Sequence, residues 1–155
     1  MTISNAYCKG LSLLELLIAV AVLGIIVSFA YPSYSAYKDK VDNGVAISQL
    51  QVLIDKIEIF NAVNNRFPNS LDELSLSDEQ KTDPWGNNYV YLNLSTVKGN
   101  GKVRKDKNLK PINGAYDLYS KGKDGDSTSP INAKKSQDDI IVANDGSYIG
   151  LASDY

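Results

Sequence analysis

Histidine is absent from the 155 residues, and cysteine occurs once, at Cys8. Each absence removes a class of chemistry. A Ser-His-Asp or Cys-His nucleophile needs an imidazole base, and a zinc site needs clustered Cys and His. A disulfide framework needs at least two cysteines. Sixteen Lys and Arg against eighteen Asp and Glu leave a net charge of −2, so no overall field draws the chain to nucleic acid or anionic lipid. Charge of either sign is nearly missing from residues 1–30, where only Lys9 and Glu15 carry it. No Walker loop, internal repeat or convergent catalytic constellation is visible, so no catalytic residue is assigned. The length suits one compact domain rather than two.

What the first thirty residues do have is an apolar run. Residues 11–30 read LSLLELLIAVAVLGIIVSFA, with Glu15 as the only charge. As a helix the run spans roughly 30 Å, the hydrocarbon thickness of a bilayer. A buried core helix, a secretory signal cleaved after Ser28-Phe29-Ala30 and a retained membrane helix are the three readings. The apolar run exceeds the 7–15 residues usual for a secretory signal, and the residues before it are only weakly basic. Glu15 separates the readings further, because a carboxylate in a membrane segment costs roughly 2.5–3.5 kcal/mol and normally has a partner.

Lys9-Gly10-Leu11-Ser12-Leu13-Leu14-Glu15-Leu16-Leu17, the apolar run behind it and Pro32 resemble the prepilin motif of type IV pilins and type II secretion pseudopilins. The resemblance implies cleavage between Gly10 and Leu11 by a membrane peptidase and N-methylation of Leu11. Leu11 replaces the phenylalanine usual there. It also implies that Glu15 of one subunit neutralises the new amino terminus of its neighbour during filament assembly. That amino group has a reference pKa of about 7.7–8.0 and is largely cationic at neutral pH. The alternative for Glu15 is a carboxylate that snorkels to the cytoplasmic interface. Pro32 matches a family proline associated with a helix bend.

Past the membrane run, Val41, Val45, Leu50, Leu53, Ile54, Ile57 and Phe60 recur at helical spacing and predict an amphipathic helix continuing to about Val63. The whole helix would extend about 80 Å, with bends or local melting at Pro32 and Gly44. Tyr31, Tyr34 and Tyr37 read as an interfacial belt or, in this family, as an aromatic path for electrons. The turn-rich residues 64–70 end the helix, and Ser70 with Glu73 predicts a capping box on a short helix over 71–74. The expected organisation is a leader at 1–10, a membrane segment at 11–30, an amphipathic half at 31–63 and a globular head at 64–155.

In the head, Asp83-Pro84-Trp85-Gly86-Asn87-Asn88-Tyr89 resembles the segment ahead of the first strand in major pseudopilins. Trp85 reads as a core residue. Alternation predicts strands over 89–94, 115–120, 139–143 and 147–150, the last two joined through Asn144-Asp145-Gly146. The expected fold is α+β: a long N-terminal helix packed on a small antiparallel sheet. Residues 98–110 carry six basic side chains and one acid, and without interleaved aromatics they read as a solvated hairpin loop rather than a nucleic-acid surface. Residues 121–127 do not fit an EF-hand. They do resemble the calcium loop of major pseudopilins, which implies ligands among Lys121 (through its carbonyl), Asp124, Ser127, Asp138 and Asp139, across a longer connection than in the family. A bound Ca²⁺ would then make Asp124→Ala lower the melting temperature in calcium but not in chelator.

The resemblance as a whole implies a filament subunit closest to a type II secretion major pseudopilin. Its expected partners are copies of itself, minor pseudopilins or pilins, the prepilin peptidase and an inner-membrane assembly platform. Its expected location is the bacterial inner membrane, single-pass, with the head in the periplasm and the assembled filament periplasmic or at the surface. A type IV pilus subunit for adhesion or motility is the alternative within the family, weakened because a mature chain without Cys8 cannot close a disulfide loop. A secreted binding or enzymatic domain starting at Tyr31 is the alternative from another class.

Overall fold

The computed structural model describes residues 12–99 and 101–155. The expected cleavage and methylation positions, Gly10 and Leu11, lie outside the described residues. One helix, α1, covers Leu13–Asn64, and four strands follow: β1 (Val90–Asn93), β2 (Tyr116–Ser120), β3 (Ile140–Ala143) and β4 (Tyr148–Leu151). The fold is α+β. The chain divides into two compact units, Met1–Asp39 and Lys40–Tyr155.

In the first unit every side chain from Ser12 to Ala30 is exposed, including Leu13, Ile18, Leu23 and Phe29. This part of α1 is long and apolar enough to cross a membrane. Two serine hydroxyls bond back to the helix backbone. Ser28 Oγ donates to the Ile25 carbonyl at 2.7 Å, and Ser33 Oγ donates to the Phe29 carbonyl at 3.2 Å. α1 is unbroken at Pro32 and Gly44, so neither residue melts it.

In the second unit the sheet is an antiparallel meander in the order β1-β2-β3-β4. Val90 pairs with Tyr119, Tyr119 with Ile141, and Ile141 with Gly150. α1 lies on one face. Ala46, Leu50, Leu53 and Ile57, at steps of four, three and four, form one stripe of a 3.6-residue period. With Ile54 they pack on Tyr89, Tyr116, Leu118, Ile140 and Val142. Tyr89 Oη donates to Gln49 Oε1 at 2.7 Å, so the polar tip of a buried ring is satisfied by the helix it packs on. Trp85 packs against this cluster, as expected of a core residue.

Val41 and Val45 were expected on the buried stripe and are instead 44% and 43% exposed. The small Ala46 meets the core instead. They line an open groove with Val52 and Gln80. The expected capping box at Ser70 also shifts. Ser70 Oγ accepts from Asp72 N, while Glu73 Oε1 accepts from the backbone N and side-chain Nδ2 of Asn69. The turn over Leu71–Glu73 is a single tight one, too short to place the third amide over the cap oxygen.

β3 is buried on both faces. Ile140 and Val142 face α1, whereas Ile141 and Ala143 join Ile112, Ile131 and Ala152 in a second cluster. That second layer is made by the long connections. Ile112 N donates to the Arg104 carbonyl at 3.1 Å, and Ile131 N donates to the Lys105 carbonyl at 2.9 Å. The connection before β2 and the one after it are thereby zipped together across the back of the sheet.

Candidate functional site

At the amino-terminal end of α1, Ser12 is the cap. Its Oγ accepts from Glu15 N at 3.2 Å, and its carbonyl accepts from Leu16 N at 3.1 Å. Glu15 thus occupies the third helical position, in the Ser-x-x-Glu spacing of a capping motif. The spacing of Ser12 and Glu15 carries that signal in the sequence. The carboxylate sits among the exposed side chains of Leu13, Leu14, Leu16 and Leu17. A charge in an apolar collar needs a counter-charge from outside its own segment once the collar is covered.

In the head, two segments singled out in the sequence meet. Gly86 N donates to the Asp83 carbonyl at 3.0 Å, closing a turn with proline at its second place and glycine at its fourth. Asp83 Oδ1 accepts from Trp85 N and Asn87 N at 3.1 and 2.8 Å. The other oxygen, Oδ2, accepts from Ser120 Oγ at 2.5 Å, and Ser120 Oγ in turn accepts from Gly122 N at 3.0 Å. Asn87 Nδ2 donates to the Gly122 carbonyl at 2.9 Å. The Asp-Pro-Trp-Gly-Asn turn and the start of the 121–139 loop are therefore one joint, with Lys121 inside it. Ser120→Ala removes a hydroxyl that serves two buried partners. It is expected to cost about 2–3 kcal/mol, read as a lower melting temperature of the full-length chain in detergent.

Four of the five residues expected to hold calcium form two hydrogen-bonded pairs, Asp124 with Asp138 and Ser127 with Asp139, joined at the consecutive Asp138 and Asp139. Asp124 Oδ1 accepts from Asp126 N at 2.7 Å, and Asp138 Oδ2 accepts from Asp124 N at 3.0 Å. Asp126 pairs with Lys135 at 2.6 Å on the surface. Ser127 and Asp139 surround a buried guanidinium. Arg104, 1% exposed, donates from Nη2 to Asp139 Oδ2 at 2.5 Å and from Nη1 to Ser127 Oγ at 2.7 Å and the Thr128 carbonyl at 2.5 Å. Its guanidinium lies over the Tyr119 ring, 4.3 Å from the centroid. Its backbone N donates to Asp117 Oδ2 at 2.7 Å. Ser127 Oγ also donates to Asp139 Oδ2 at 2.6 Å.

Burial pushes the Asp139 carboxyl up to about 6, against the lowering effect of Ser127 and Arg104. Burial likewise raises Asp117. Among the described residues no three Asp, Glu, His or Cys side chains stand together as a metal cluster. The donor set does not fit a calcium ion at Asp139. Its Oδ1 is buried without a hydrogen bond, but it belongs to a carboxylate that the guanidinium already neutralises. Arg104 corrects the reading of residues 98–110 as wholly solvated. It and Val103 are buried, and the sequence signal was a single arginine among five lysines, next to a valine.

The family described as the prokaryotic N-terminal methylation motif matches residues 5–31. The type II secretion system core protein G of Escherichia coli K12 is 26% identical over 137 residues, covering 76% of this chain and 83% of that protein. The core protein G of Aeromonas hydrophila is 27% identical over 137 residues, covering 76% and 85%. That of Xanthomonas campestris pv. campestris is 29% identical over 135 residues, covering 79% and 83%. The chain carries the N-terminal methylation motif and is similar to the type II secretion core G proteins over about three quarters of its length. No solved structure matches. In this pilin-like chain the methylation motif ends at Tyr31, so it spans the capped start of α1, Glu15 and the exposed apolar run. The likeness to the core G proteins extends through most of the chain and so takes in the head as well.

Proposed function

We propose that the chain is the principal structural subunit of a type II secretion pseudopilus. The observation that carries this reading is that similarity to the core G proteins spans about three quarters of the chain, well beyond the N-terminal motif that all pilin-like proteins could share. The membrane-length start of α1 holds the precursor in the inner membrane, with the head in the periplasm. Cleavage after Gly10 and methylation of Leu11 by the prepilin peptidase free the helix for transfer into the filament. There it packs against copies of itself, with minor pseudopilins at the tip and the assembly platform at the base. The work of assembly is supplied by another component, and this chain acts by polymerising rather than by catalysing a reaction.

The test is co-expression with a prepilin peptidase and a type II assembly platform, followed by mass spectrometry of the mature chain and electron microscopy of sheared material. The expected result is a chain beginning at N-methylated Leu11 and present in filaments. A mature chain beginning at Tyr31 would replace this reading with that of a secreted domain. Filaments built only with a pilus retraction machine, and not with a secretion platform, would make it a pilus subunit.

A further inference from the structure

We propose that the guanidinium of Arg104 is the resident cation of the 121–139 loop, so that this head closes its loop without calcium. The groups around the guanidinium are a carboxylate (Asp139), a hydroxyl (Ser127) and a backbone carbonyl (Thr128). These are the hard oxygens that a calcium ion collects from a loop. Here they are collected by a planar, permanently charged fork with donors in fixed directions. One side chain ties together the middle of the loop, the residue that leads into β3 and, by stacking on Tyr119, strand β2.

Three further observations point the same way. The backbone at Arg104 is itself held, because its N–H donates to Asp117 and its carbonyl accepts from Ile112. The cation is thus delivered by a rigid segment and not by a wandering side chain. The remaining loop carboxylates accept from backbone amides or pair with Lys135, and among the described residues no three acidic side chains stand together as a metal cluster. A divalent ion on Asp139 would share its carboxylate with a guanidinium already bound to Oδ2, and two cations held on one buried carboxylate repel each other. The role of the basic segment 98–110 follows: it carries the loop's counter-ion into the fold, and its lysines solvate the rest.

The test uses the full chain in detergent micelles, with the fluorescence of its single tryptophan, Trp85, following thermal unfolding. Wild type is expected to melt within about 1 °C of the same temperature in millimolar calcium chloride and in EGTA, a difference below a few tenths of a kcal/mol. Asp124→Ala is expected to shift the midpoint equally in both. Arg104→Met removes the charge while keeping much of the volume, and should lower the midpoint by on the order of 10 °C in either solution, because Asp139 is left buried and unpaired. Adding Asp139→Asn to Arg104→Met should recover part of that loss. A wild-type midpoint that falls by several degrees in EGTA would overturn the proposal, as would an Arg104→Met midpoint equal to wild type. The wild-type comparison needs no variant, so it decides the matter even if Arg104→Met fails to fold. Neither outcome bears on whether the chain forms filaments.

Discussion

Gly122→Ala is expected to destabilise the head by roughly 4 kcal/mol or more, a size reserved for a few named mechanisms. Two of them coincide here. The backbone at Gly122 has φ +66°, the left-handed region in which a Cβ costs on the order of 1–2 kcal/mol. A Cβ at this position would also lie 2.6 Å from the Asp138 carbonyl carbon, closer still to its oxygen, and 2.7 Å from Oδ2 of the same residue. Backbone atoms cannot step aside as a side-chain tip can, so the start of the loop would have to part from its end. Gly146 supplies the control. It has φ +94° in the β3–β4 turn, yet a Cβ there would meet nothing within 4 Å. Gly146→Ala should therefore cost only the conformational share, about 1–2 kcal/mol. The measurement is the unfolding midpoint of each variant, with limited proteolysis to locate cleavage. Gly122→Ala should become cleavable within residues 121–139 and Gly146→Ala should not. Equal midpoints for the two variants would mean that the approach to Asp138 is relieved at little cost.

The contrast between these glycines also marks how far the fold was legible in the sequence. The Asn144-Asp145-Gly146 hairpin could be read because its instruction is local: three consecutive residues with positive φ, from types that tolerate it. The four strands were legible for the same reason, since alternation is written along each segment. Gly122 looked like any loop glycine, because the group that forbids a side chain there comes from Asp138. The helix stripe departs from its pattern at Val41 and Val45 because periodicity says which side chains share a face but not which of them the rest of the fold covers. Arg104 and Asp139 are 35 residues apart in a buried pair, which neither the basic run around one nor the acidic run around the other announces. A charge run reports the average of its members, and the exceptional member shows only in three dimensions. The N-terminal motif was legible because it is written in one short contiguous stretch, which the methylation-motif family matches at residues 5–31.

In that stretch, Glu15→Ala is expected to abolish filaments while leaving membrane insertion and cleavage after Gly10 intact. Removing one partner of a buried charge pair costs about 3–5 kcal/mol, which in an association is roughly a hundred-fold to several-thousand-fold at each interface. A filament repeats that interface at every subunit, so even the lower figure moves assembly out of reach at ordinary concentrations. The structure raises a competing cause, because Glu15 is the third residue of a helix capped by Ser12. A carboxylate at that position also steadies the helix terminus, by about 0.3–1 kcal/mol. Two variants separate charge pairing from capping. Glu15→Gln keeps the size and a hydrogen-bonding oxygen but not the charge, and should be as defective as Glu15→Ala. Ser12→Ala removes the cap oxygen at a cost of about 0.5–2 kcal/mol but leaves the carboxylate, and should still build filaments. The readout is the yield of sheared filaments, with mass spectrometry confirming a mature Leu11 terminus in each case. Wild-type yield from Glu15→Gln would rule out a role for the charge, and a Ser12→Ala defect equal to that of Glu15→Ala would place the cause in the helix end. If the charge is what matters, the single acidic residue of the apolar run is there for a neighbour's amino terminus, and its cost in the membrane is offset only on assembly.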